Sequence, residues 1–100
     1  MRSEETNLAN LIADIVRTEH DNVDLSLLNC GTLRYNSVIP RGEITGRMIA
    51  NLLPQSDKVV VLRMPGRIVH AMIENAVSAY PKLDGRFAAI SGLKFKFDAN

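Results

Sequence analysis

Apolar residues recur along this chain at two periods, and the period changes from one segment to the next. Leu8, Leu11, Ile12, Ile15 and Val16 fall at the spacing of one helix face, which predicts an amphipathic helix over residues 4–19. Ser3 is placed to cap it, and Glu4 and Glu5 suit the positive end of its dipole. The pattern breaks at His20-Asp21-Asn22, with the imidazole at the negative end of the helix. Asp24 to Asn29 then reads as a short, mostly apolar strand that delivers Asn29 at its C-terminal end, and Cys30-Gly31-Thr32 and Pro40-Arg41-Gly42 read as turns.

Thr45 is a candidate N-cap for a second helix, with Met48, Ile49, Leu52 and Leu53 on its inner face. Pro54 ends that helix, because proline disfavours the helical conformation of the residue before it. Val59 to Leu62 is apolar on consecutive residues, the pattern of a strand covered on both faces. Pro65-Gly66 leads into a third helix, where Val69, Met72, Ile73, Ala76 and Val77 repeat the one-face spacing until Pro81. Met48, Met64 and Met72 read as core filler. Leu93, Phe95 and Phe97 alternate with Lys94 and Lys96, which predicts a half-buried strand with the lysines in solvent.

The order is thus helix, strand, helix, strand, helix, strand, which predicts an α+β fold, a mixed β-sheet with helices packed against it. Neither an internal repeat nor a linker-like tract interrupts residues 1–100, so they are expected to lie in one domain. Asn100 comes immediately after a strand pattern rather than in a polar linker, so this domain is expected to be incomplete, an excerpt of a longer chain.

Composition narrows the chemistry. Hydrophobic residues make up 46% and charged residues 23% of the 100 residues, enough for one hydrophobic core. The formal charge of +1 gives no general pull toward a nucleic acid polymer or an anionic membrane, so any anion recognition must be local. The apolar run Val59 to Leu62 is far too short to span a bilayer, and the polar start Met1-Arg2-Ser3-Glu4-Glu5 is no signal peptide. A single Cys30 leaves no internal disulfide framework. His20 and His70 stand apart from any metal-ligand cluster, so His70 reads as a helix-surface or packing residue. No phosphate-cradling glycine loop of the Walker or dinucleotide type is present, and no nucleophile elbow.

Three stretches carry a resemblance. Arg2-Ser3-Glu4-Glu5-Thr6-Asn7-Leu8-Ala9-Asn10-Leu11-Ile12-Ala13-Asp14 comes first, and Asn29-Cys30-Gly31-Thr32-Leu33-Arg34 second. The third runs from Glu74-Asn75-Ala76-Val77-Ser78 through Asp84-Gly85-Arg86-Phe87 to Ser91-Gly92-Leu93-Lys94-Phe95. In this order and at these separations they resemble the C-terminal, substrate-binding domain of the 5′-nucleotidase family of metallophosphoesterases, which includes UDP-sugar hydrolases. The resemblance covers the N-terminal part of that domain. It implies a parent that hydrolyses nucleotides or related phosphoesters with two divalent metal ions, such as zinc or manganese. Those ions would be held in a separate N-terminal domain of the same chain, with none bound by residues 1–100. It further implies a small phosphorylated substrate, and a secreted, periplasmic or cell-surface parent with a cytoplasmic one left open. Residues 1–100 alone are expected to be inactive. The rival reading is a non-catalytic binding module that keeps the fold and has lost nucleotide recognition.

The resemblance also implies site residues. Arg34 follows the strand-ending turn, where a guanidinium can meet phosphate with two parallel hydrogen bonds; the bland alternative is a surface arginine tied to a carboxylate. Arg2 could share the same anion, against the alternative of a frayed terminus. Asn29 can read a base edge or a sugar hydroxyl, or simply form a turn. Gly31 suits a positive φ or a close approach of main chain to ligand, and Cys30 and Thr32 replace glycines of the usual motif. Gln55, in Leu53-Pro54-Gln55-Ser56-Asp57, occupies the position of the family's base-stacking aromatic ring, which implies altered or relaxed base preference.

Overall fold

A computed structural model of the chain describes residues 1–34 and 38–98. The first helix, α1 (Asn7–Thr18), starts later than its apolar spacing suggests because Thr6, not Ser3, is the cap. Thr6 Oγ1 accepts from the Ala9 N–H at 3.2 Å, satisfying one of the free donors of the first turn. Glu4 and Glu5 therefore lie ahead of the helix, and Asn10 Nδ2 donates back to Glu5 Oε1 at 2.8 Å. The helix ends with His20 Nδ1 at 3.1 Å from the Val16 carbonyl, and Asn22 turns the chain with φ 59°, a region asparagine tolerates.

Strand β1 (Ser26–Asn29) pairs antiparallel with β2 (Ala88–Ser91), in the register Ser26↔Ser91 to Asn29↔Ala88. The face of α1 that meets this sheet sets two alanines beside Ile12. Ala9, Ile12 and Ala13 are buried, whereas Leu11 and Ile15 are 44% and 47% exposed. Alanine lets the helix come close enough for direct hydrogen bonds. Ser26 Oγ donates to the Ala13 carbonyl at 2.6 Å, Ser91 Oγ donates to Asp14 Oδ1, and Arg17 Nε donates to Ser91 Oγ at 2.7 Å. Both buried serines are thus satisfied, as buried polar groups must be.

Beyond β1 the chain makes a short 3₁₀ turn (Cys30–Thr32), and two further helices follow, α2 (Gly46–Leu52) and α3 (Gly66–Val77). Thr45 caps α2 as expected, its Oγ1 accepting from the Met48 N–H at 3.2 Å. The core joins Ala9, Ile12 and Ala13 of α1 to Cys30, Leu33, Leu52, Phe87 and Ala89. Burying a leucine such as Leu33 or Leu52 stabilises the fold by about 1.5–3 kcal/mol. Met48, Met64 and Met72 are half-buried and do not belong to this core. Among the described residues no helix is long and apolar enough to cross a membrane.

The α+β architecture is as expected, and three details differ. The paired strands run antiparallel, where the sequence predicts a mixed sheet. Val59 to Leu62 lies on the surface, 55–70% exposed, with no strand partner among the described residues. The final strand falls on Ala88–Ser91 instead of residues 93–97. Gly92, at φ 85°, explains the last: a Cβ there would run into the Asp24 carbonyl, and the left-handed conformation turns the chain out of the ladder. Leu93 and Phe95 remain half-buried between exposed Lys94 and Lys96, while Phe97 is exposed and meets Tyr80 edge-on at 5.1 Å between centroids.

A polar cleft as the candidate functional site

Residues distant in the chain reach one cleft because β1 and the turn after it are held by backbone hydrogen bonds on both sides. On one side, Cys30 N–H donates to the Phe87 carbonyl at 2.6 Å and Gly31 N–H to the Gly85 carbonyl at 2.9 Å, which extends the sheet pairing into the turn. On the other, Arg34 N–H donates to the Leu52 carbonyl at 2.8 Å and so docks the start of the next loop on the last turn of α2. That second bond brings residues 55–57, just past the end of α2, alongside Arg34.

The result is an open cleft of about 330 Å³ that brings together all five residues expected from sequence: Arg2, Asn29, Gly31, Arg34 and Gln55. Thr32, Asp57 and Gly85 complete its lining. Arg2, ahead of α1, is half-buried. Arg34 is exposed at the rim. Among the described residues neither guanidinium is paired with a carboxylate; the ion pair that does form, Arg86 Nε with Asp84 Oδ1 at 3.0 Å, stands at the neighbouring turn. Two unpaired cations in one concave, solvent-open place can hold an anion with charge-assisted hydrogen bonds.

Gly31 answers to a different constraint from the positive φ considered above. Its φ is negative, and a Cβ built on it would lie 2.9 Å from the Gly85 Cα. Two stretches of main chain touch here, and their contact forms part of the cleft wall. Thr32 Oγ1 donates to Asn29 Oδ1 at 3.0 Å, which holds the amide; among the described residues its N–H₂ group has no acceptor and is open to a ligand. Cys30 points the other way, into the core, so this replacement of a motif glycine does not narrow the cleft. Burial raises the Cys30 thiol pKa above its ordinary value, against the smaller opposing pull of the N-terminal amine and Arg2.

Sequence reading missed Thr32 as a positioning group, Asp57 as a wall residue and Gly85 as the partner of Gly31. The Asp84-Gly85-Arg86-Phe87 motif carries the signal for the last: Asp84 Oδ1 accepts from the Arg86 backbone at 2.9 Å and from its guanidinium, closing the turn that presents Gly85. The backbone bond, then the guanidinium, hold the Asp84 carboxyl below its usual range. A larger groove of about 1030 Å³ runs beside α1 and β2. Size does not decide between them; the smaller cleft holds two guanidiniums, Arg2 and Arg34, whereas the larger is lined by Lys94 and Lys96 together with Glu4, Glu5 and Asp14.

The family model described as 5′-nucleotidase, C-terminal domain, matches residues 1–100. The chain is 27% identical to a Bacillus subtilis (strain 168) protein named trifunctional nucleotide phosphoesterase protein YfkN, over all of this chain and 7% of that protein. It is 29% identical to Protein 5NUC of Lutzomyia longipalpis, over 99% of this chain and 20% of that one. The chain therefore spans a fifth or less of the length of these relatives. No solved structure gives a significant match.

Proposed function

Because this chain belongs to the 5′-nucleotidase C-terminal domain family, we propose that it holds the substrate for a phosphoester hydrolase acting on nucleotides or related compounds. The observation that carries the proposal is the meeting of Arg2, Asn29 and Arg34 in a single small cleft. The two guanidiniums bind the anionic group, and the Asn29 amide, held by Thr32, donates to the nucleoside or sugar. The contribution is positioning: fixing a substrate near reactive groups makes a bimolecular encounter effectively unimolecular. Among the described residues no three His, Cys, Asp or Glu side chains converge as a metal site, and on this reading the metal ions that drive hydrolysis are held elsewhere in the protein. Its proposed partner is a metal-binding phosphatase domain in the same protein.

Gln55 lines the cleft where the family resemblance expects an aromatic ring. Stacking on an aromatic contributes about 1–3 kcal/mol per base in single-strand binders, so its loss weakens preference for the base. Calorimetric titration tests both parts of the proposal. AMP and a base-free sugar phosphate should bind with similar affinity, and Arg34→Ala should weaken both about tenfold or more, as loss of a charged hydrogen bond does. Arg67→Ala, on exposed α3, should change neither. A second reading, a module that has lost nucleotide recognition, draws on Gln55; absence of binding by either ligand would support it, and far tighter binding of AMP would refute relaxed base preference.

A further inference from the structure

We infer that residues 57–63 form an interface between two copies of this chain, which pair there as antiparallel strands about a two-fold axis at Val60. The surface lies outside the arginine cleft except at Asp57, which belongs to both.

The segment offers what a strand partner needs and uses none of it. From Ser56 to Pro65 the chain makes neither helix, turn nor bend. Val59, Val60, Val61 and Leu62 are each more than half exposed, and Asp57, Lys58 and Arg63 beside them are exposed as well. Among the described residues, no N–H or C=O of residues 57–63 makes a backbone hydrogen bond. Unpaired main chain flanked by β-branched side chains is a template for another strand.

The apolar run names no partner by itself; the charges at its ends do. With Val60 facing Val60, Val59 lies opposite Val61, and Asp57 of each copy lies opposite Arg63 of the other. Opposite charges directly across a ladder attract, and the two-fold symmetry supplies the pair twice. Lys58 falls opposite Leu62, where its stem covers the leucine while the ammonium reaches water. Sliding the strands by one residue sets Lys58 against Arg63 in one direction and leaves Asp57 against Leu62 in the other. A parallel in-register pair sets every charge against its own kind. Pro65, with no N–H to give, closes the ladder beyond Arg63. The same register carries Arg63 of the second copy to Asp57 at the wall of the cleft.

Sedimentation velocity of the 100-residue chain tests this. An interface this short is below the standard size, so a monomer–dimer equilibrium should appear between about 10 µM and about 1 mM. Val60→Lys places two lysines face to face on the axis and should leave a monomer throughout that range. Arg63→Asp sets two carboxylates together at both ends and should weaken the dimer about tenfold or more. The double variant Asp57→Arg, Arg63→Asp should restore it. All three positions are exposed, and unchanged circular dichroism would verify folding; should Val60→Lys unfold, the charge exchange still decides. A chain that stays monomeric up to the highest concentration, or grows past the dimer, overturns the proposal. So does a dimer that Val60→Lys leaves intact, or that the exchanged charges fail to restore.

Discussion

At Gly31 the main chain of one loop lies against the main chain of another, with no room for a side chain between them. A methyl group there would press on the Gly85 Cα, which is backbone and cannot swing aside. Gly31→Ala should therefore destabilise the fold by about 1–3 kcal/mol, the usual cost of overpacking. In a domain of this size each kcal/mol lowers the melting temperature by about 4–8 °C. Gly46→Ala, which meets nothing within 4 Å, is the matched control for a thermal melt followed by circular dichroism. An unchanged melt for Gly31→Ala would mean that the loops do not touch as described. Residues of this scale were unevenly legible. Arg2, Asn29, Gly31 and Arg34 stood in recognisable local strings, whereas Thr32, Asp57 and Gly85 acquire their roles only from chain segments that folding brings beside them.

Elements follow the same division. Helix positions could be read from spacing, and Thr45 and Pro54 bound α2 as their chemistry requires. What spacing could not rank was which apolar face meets the sheet: Ala9 and Ala13 win over Leu11 and Ile15 because contact with the serines of the strands demands small residues. Strand β2 was hidden because Ala88-Ala89-Ile90 lacks alternation, while the alternating residues after Gly92 are turned out of the ladder. The 84–87 turn that leads into β2 makes an acid-sensitive joint. Its Asp84 carboxyl is held below the ordinary 3.8 by the Arg86 backbone and then by its guanidinium. A depressed folded-state pKa contributes stability above the unfolded value and loses it as pH falls through the folded one. Urea midpoints of the wild type and Asp84→Asn should differ near neutral pH and converge below 3.8. A gap that persists in acid would assign the effect to something other than this charge.

Across the whole molecule the α+β class could be read from the succession of elements, but the sheet could not, because strand order depends on partners that local pattern does not name. Val59 to Leu62 illustrates this: its apolar residues mark a segment suited to burial and say nothing of what should cover it. Division of labour is testable at this scale. Residues 1–100 with added manganese or zinc should release no phosphate from AMP above a matched blank, since the described residues offer no cluster of metal ligands. Metal-dependent turnover would overturn the assignment of this chain to positioning alone. The contact of Gly31 with Gly85 has one more consequence. Beneath the cleft lies peptide backbone locked by hydrogen bonds, and above it stand side chains, Gln55 and Asp57 among them, that are exposed to solvent. Such a build separates foundation from fittings, so the taste of the cleft can be altered by exchanging a rim residue while the scaffold keeps its stability.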